Sequence, residues 1–145
     1  MPRIIVITGA SSGAGRAIAL AFAEKGDHLV LASRNFNELK NVAIECEEFG
    51  TVVRLVETDV TNPSAMINLA AYAEDFGGRI DVWVNNAGVL AVGAFDEMPM
   101  TVNDQVIQTN LMGYMHGAHA VMPYFKKQGK GILINNISLF PLFIP

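Results

Sequence analysis

The chain has a single cysteine, Cys46, among its 145 residues, so an internal disulfide is excluded and a reducing compartment, the cytoplasm, is the expected setting. It has no surplus of positive charge. Ten Lys and Arg are scattered against fourteen Asp and Glu, for a net charge of -4, which argues against nucleic-acid binding through a basic face and favours small-molecule partners. It also has no clean apolar run of membrane-spanning length, because the most apolar helical stretch, Val106 to Phe125, is interrupted by Gln108, Asn110, His116 and His119. No signal-peptide pattern precedes the first strand-like residues after Met1-Pro2-Arg3. No repeat, low-complexity tract or linker divides residues 1–145, which therefore read as one domain, of a size that buries about two-thirds of its unfolded surface.

What is present is an alternation of two periodicities. Strand-like runs at 4–8, 28–33, 51–56, 80–85 and 131–137 are separated by four helix-like stretches, the pattern of a parallel sheet in an α/β fold. The first helix begins near Gly13 and stops at Lys25-Gly26, and the second is capped by Asn35 or Asn37 and ends before Gly50. The third starts at Thr61-Asn62-Pro63, a polar cap before proline at the first helical position, and ends near Gly77-Gly78. The fourth runs from about Thr101 to Gln128, and Val106, Ile107, Leu111, Tyr114, Met115, Ala118, Val121, Met122 and Phe125 mark the side expected to be buried. Right-handed crossovers turn this alternation into a doubly wound sheet of order 3-2-1-4-5, with ligand bound beyond the carboxyl ends of its strands.

The segment Thr8-Gly9-Ala10-Ser11-Ser12-Gly13-Ala14-Gly15 lies between the first strand and the first helix. Its glycines let the chain reverse tightly and let backbone approach a ligand closely. The helix start adds unpaired N–H groups and a positive dipole end, so the pyrophosphate of a dinucleotide fits both features. Asp59-Val60 follows the third strand, Asn85-Asn86-Ala87-Gly88 the fourth, Asn110-Leu111-Met112-Gly113 lies in the fourth helix, and Ser138 ends the fifth strand.

In that order these motifs make the chain resemble the N-terminal part of a short-chain dehydrogenase/reductase, from Ile4 to Ser138. The resemblance implies that Gly9, Ser11, Ser12, Gly13 and Gly15 cradle the pyrophosphate, that Asp59 reaches the adenine, and that Val60 packs against its ring. It implies that Asn86, Ala87 and Gly88 line the floor beside the cofactor ribose, with Asn85 tying strands together. It makes Asn110 the member of the catalytic set that holds a water and Ser138 the hydroxyl that hydrogen-bonds the substrate oxygen. By resemblance, too, the complete protein is a homo-oligomer acting on a small carbonyl or alcohol substrate.

Cofactor choice rests on the end of the second strand, where a carboxylate would hold the ribose 2′-OH of NAD. Ser33 and Arg34 stand there, and a guanidinium pairs with a 2′-phosphate through two hydrogen bonds, so NADP is favoured over NAD. Arg16 reads as a solvated helix residue, Glu45, Glu47 and Glu48 as a wet helix face, and His116 with His119 as packing or exposed residues without a third metal ligand. Methionines 98, 100, 112, 115 and 122 read as core or subunit packing.

The family's proton donor, a tyrosine in Y-x-x-x-K after the serine, has no counterpart here, since Tyr72, Tyr114 and Tyr124 all precede Ser138 and none has a lysine four residues on. The run Leu139 to Pro145 is wholly uncharged, and with the missing pair it reads as the edge of a fragment that leaves apolar surface open. Two other readings stand beside the dehydrogenase. One is a non-catalytic nucleotide-binding regulator. The other is a serine hydrolase, because Gly9-Ala10-Ser11-Ser12-Gly13 fits G-x-S-x-G with Ser11 at the elbow. A P-loop is excluded because Arg16-Ala17 follows Gly15.

Overall fold

The computed structural model describes residues 1–138, and the apolar run Leu139 to Pro145 lies outside them. Five parallel strands, β1 (Ile4–Thr8), β2 (His28–Ser33), β3 (Val53–Glu57), β4 (Val82–Asn85) and β5 (Ile132–Asn135), form one sheet in the order β3-β2-β1-β4-β5. The helices are α1 (Gly13–Ala23), α2 (Phe36–Glu47), α3 (Pro63–Gly77), α4 (Met100–Ile107) and α5 (Gly113–Gln128).

Alternation along the strands sorts the core into two layers. Ile5, Ile7, Leu29 and Leu31 face α1 and α2 with Ala19, Leu39 and Val42, while Val6, Val30 and Trp83 face α3 and α5 with Met66, Leu69, Val121 and Phe125. Cys46 sits in the first layer, where burial pushes its thiol up to about 11, which keeps it protonated at neutral pH. The expected caps form. Asn35 Oδ1 accepts from the Glu38 N–H at 3.2 Å, and Asn62 Oδ1 accepts from Ser64 and Ala65 at 2.9 and 3.2 Å, just before Pro63.

Three strands are shorter than their apolar runs, two of them beside side chains that take up backbone groups next to the ladder. The Thr51 hydroxyl donates to the Asp27 carbonyl and β3 begins only at Val53. The Ile80 N–H and C=O are both taken by the Gln128 side chain, at 2.9 and 2.8 Å, which keeps Ile80 off the ladder and starts β4 at Val82. After Asn135 the chain turns out of the sheet.

The fourth helix departs most from expectation. It begins at Met100 and is divided by a π turn at Gln108–Met112, so that α4 and α5 do not share one continuous face. Its buried residues are Gly113, Gly117, Ala120, Val121 and Phe125, whereas Ile107, Leu111, Met115 and Met122 are 52, 52, 55 and 38% exposed. The reason is steric. A Cβ on Gly113 would lie 2.7 Å from Val60 Cγ2, and one on Gly117 would lie 2.8 Å from Trp83 Nε1. Close packing through small residues turns the large side chains outward. No described helix is long and apolar enough to cross a membrane.

Candidate functional site

In the order β3-β2-β1-β4-β5 the winding reverses between β1 and β4, and the loops leaving the two strands diverge there. A cleft of about 1150 Å³ occupies this point beyond the carboxyl ends of the strands. It is lined by Gly9, Ser11, Ser12, Gly13, Ser33, Arg34, Asp59, Val60, Asn86, Ala87, Gly88, Asn110 and Ser138 together with Thr58, Tyr114 and Asn136. Every candidate site residue except Gly15 thus reaches one cavity, and Gly15 is buried directly behind it.

The turn after β1 requires its glycines. Gly9 has φ +64, and a Cβ there would come within 2.6 Å of Ala87 Cα. A Cβ on Gly15 would overlap the Gly9 carbonyl oxygen, so α1 can approach the turn only without a side chain at that position. Thr8 fastens the other side: its hydroxyl donates to Val84 O at 3.3 Å and accepts from the Asn86 N–H at 3.0 Å. Asn86 Nδ2 donates to the carbonyls of Thr8 and Gly9, each at 3.1 Å. The turn after β4 is therefore bolted to the turn after β1.

At the end of β2, Ser33 Oγ donates to Ser11 Oγ at 2.9 Å and accepts from the Asn35 N–H at 3.1 Å, while Arg34 is exposed on the cleft wall. Across from it, Asp59 Oδ1 accepts from the Thr61 N–H at 2.9 Å and hydroxyl at 2.8 Å. Burial works against its ionisation, but these two bonds and the nearby Arg34 charge prevail and hold its pKa below the usual value. Val60 is fixed from behind by His116, whose Nδ1 donates to the Val60 carbonyl at 2.8 Å. Arg16 instead meets Glu45 in an ion pair bridging α1 and α2, so the pair ties two helices together and neither faces the cleft.

Asn110 lies within the π turn. Its Oδ1 accepts from the Val89 N–H and its Nδ2 donates to the Val89 carbonyl, both at 2.8 Å, so both ends of its amide are tied to the loop after β4. Asn85 joins elements as expected: Nδ2 donates to Tyr114 O at 3.0 Å and Asn135 Oδ1 at 2.9 Å, and Oδ1 accepts from Trp83 Nε1 at 2.9 Å. Ser138 is exposed at the cleft's open end. Ser11 shows no hydrolase geometry, since its hydroxyl is paired with Ser33 and no non-glycine residue among those described adopts positive φ.

Thr58, Tyr114 and Asn136 line the cleft as well, although the sequence marks Tyr114 only within the expected core of the fourth helix and Asn136 only within a strand-like run. The available signal was a second Asn-Asn pair, Asn135-Asn136, at the end of an apolar strand, matching Asn85-Asn86 in the neighbouring one.

The model of the short chain dehydrogenase family matches residues 3–141. The chain belongs to this family. An uncharacterised oxidoreductase of Staphylococcus haemolyticus is 35% identical to this dehydrogenase-family chain over 137 residues, 94% of the chain but 58% of the relative. The structure of an alcohol dehydrogenase from Thermococcus sibiricus complexed with 5-hydroxy-NADP superposes with a TM-score of 0.90 at 29% identity, over 100% of this chain and 62% of that one. A short-chain dehydrogenase/reductase from Burkholderia phymatum in complex with NAD gives 0.89 at 34% identity, over 92% of this chain and 48% of that one. The chain therefore spans about half to three-fifths of the length of these relatives.

Proposed function

We propose that residues 1–138 form the dinucleotide-binding part of an NADP-dependent oxidoreductase that moves hydride between the nicotinamide ring and a carbonyl or alcohol carbon. The observation that carries this reading is the meeting, in one cleft at the sheet's switch point, of the glycine turn, the Arg34 guanidinium and the Asn86-Ala87-Gly88 turn. The residues fit such a cofactor. A Cβ on Gly13 would meet no protein atom within 4 Å, so the start of α1 is bare backbone facing a space that a pyrophosphate could fill.

Relatives in this family are solved with either an NADP derivative or NAD, so the preference rests on this chain's own side chains. Arg34 offers a two-donor fork to a 2′-phosphate. Ser11 Oγ accepts from Ser33, which leaves its own proton to donate into the same corner. Asp59, held as a carboxylate, accepts from an adenine amino group, and Val60, braced by His116, packs on the ring.

When bound, the nicotinamide supplies or takes the hydride. The chain's residues supply position. Ser138 donates a hydrogen bond to the substrate oxygen, polarising the carbonyl. Asn110, whose amide is held by the Val89 backbone, anchors a water beside the substrate oxygen. Proton transfer is assigned to no residue of 1–145, since none of its tyrosines has a lysine four positions on.

Calorimetry of the full-length protein with NADPH and NADH tests the reading. The expected result is tighter binding of NADPH, reversed in Arg34→Asp, where a carboxylate would repel the phosphate and suit a free 2′-OH. Equal affinities that the substitution leaves unchanged would show that Arg34 points into water. Binding of neither coenzyme would remove the nucleotide reading altogether.

A further inference from the structure

The three residues that follow β5 hold Ser138, and they leave the sheet at its edge. Asn136 is the point at which they are secured, through three polar groups directed at three different elements. Its N–H donates to Asn85 O at 2.9 Å, its carbonyl accepts from the Tyr114 hydroxyl at 2.6 Å, and its Nδ2 donates to Asn86 Oδ1 at 2.8 Å. Asn86 in turn holds the carbonyls of Thr8 and Gly9. A continuous line of hydrogen bonds therefore runs from α5 through Tyr114, Asn136 and Asn86 to the turn after β1.

We propose that Tyr114 and Asn136 are positioning residues, a clasp that sets Ser138 in the cleft and couples its placement to occupation of the Gly9 turn. The coupling half of this proposal rests on the NADP reading above; the clasp itself does not.

Tyr114 is suited to hold rather than to react. Its backbone carbonyl accepts from Asn85 Nδ2, so the residue is anchored at both ends, and Gly113 and Gly117 let α5 lie close enough for the phenol to reach the segment after β5. Burial pushes the phenol pKa up, which keeps it a neutral donor at ordinary pH, and its one proton is committed to the Asn136 carbonyl. The hydroxyl-to-carbonyl bond is the only one of the three anchors of Asn136 that a single conservative substitution removes without touching the asparagines.

Backbone hydrogen exchange of the full-length protein, with and without NADPH, tests the clasp on wild type, Tyr114→Phe and the control Tyr72→Phe. Tyr72 is 41% exposed on α3, away from the cleft. Without ligand, the Asn136 amide, which donates to Asn85 O, should exchange about fivefold to tenfold faster in Tyr114→Phe, the effect of one lost hydrogen bond, while β1 and β4 amides keep wild-type rates. Adding NADPH should slow exchange at Asn136 in wild type and in Tyr72→Phe. Most of that slowing should vanish in Tyr114→Phe at NADPH concentrations that calorimetry shows to saturate the variant, and a purely structural role would not move this ligand-dependent signal. Loss of NADPH binding in Tyr114→Phe would make the tyrosine a cofactor contact and overturn its positioning role. Unchanged exchange at Asn136 in ligand-free Tyr114→Phe overturns the clasp. Intact slowing by NADPH in that variant overturns the coupling. Failure of wild type to bind NADPH overturns the nucleotide reading and the coupling together, and the ligand-free comparison still decides the clasp.

Discussion

Strands β1 and β5 are both short and aliphatic, and both pair in parallel with β4, yet their surroundings differ completely. No residue from Ile4 to Thr8 is more than 5% exposed, whereas Ile132 and Ile134 of β5 are 53% and 39% exposed. The sequences Ile-Ile-Val-Ile-Thr and Ile-Leu-Ile-Asn do not foretell this. The difference lies in the layers: β1 has α1 and α2 on one face and α3 and α5 on the other, while β5 buries only part of Leu133 against the second layer. Ile134 borders a shallow apolar groove with Ile18, Ala21, Phe22 and Val84. The outer side of α4 and α5 repeats the pattern with Ile107, Leu111, Met115 and Met122. The cleft spans both regions, so its glycine-turn end stands on the buried core and its Ser138 end on the edge of the sheet.

The sharpest way to break this comparison is to cut the same side chain from each strand. Ile7→Ala should cost about 2–5 kcal/mol, the range for emptying a packed core site, and Ile134→Ala under about 0.5 kcal/mol, as for a surface position. Urea unfolding of residues 1–145 reads both. Equal losses would mean that β5 is covered. Within the cleft, Gly15→Ala should cost about 1–3 kcal/mol, because the new methyl overlaps the Gly9 carbonyl and no flexible side chain is available to yield. Gly13→Ala meets no atom and pays only for its positive φ, about 1 kcal/mol. A larger loss at Gly13 than at Gly15 would invert the packing described for the turn.

The parts of this arrangement that were legible in the sequence are those fixed over a few residues. The glycine turn, the Asn62-Pro63 start and the strand alternation each carry a local steric or capping signal, and the order β3-β2-β1-β4-β5 follows once crossovers are right-handed. The burial of the fourth helix was only partly legible: Val121 and Phe125 are buried as expected, but helical spacing of large apolar residues says which side is apolar and not which side packs along the whole helix. Gly113 and Gly117 made that choice by letting the backbone itself approach Val60 and Trp83. The shortening of β3 and β4 depended on Thr51 and Gln128 side chains that compete for backbone partners, in the case of Gln128 from 48 residues away. The bonds that join Tyr114, Asn136 and Asn86 were hidden for the same reason: the partners meet only after α5 and β5 have docked.

The two ends of the cleft also differ in charge, and this gives the smallest and most local test. Among the lining residues only Arg34 and Asp59 are charged, and both lie at the end built by β2 and β3. Burial raises the Asp59 pKa, but the Thr61 bonds and Arg34 lower it further, so the folded value lies below the unfolded one. Its contribution to stability is then fully present above the unfolded value, about 3.9, and is lost as pH falls through the folded value. Asp59→Asn should flatten the fall in stability over that acid window and lower neutral-pH stability by the same amount, a small one because the site is open to solvent. A carboxyl titration followed by NMR should place Asp59 below the ordinary aspartate range in wild type and move it upward in Arg34→Asp. If the titration of Asp59 stays put in that variant, Arg34 does not reach across the cleft, and its claim on a 2′-phosphate weakens with it.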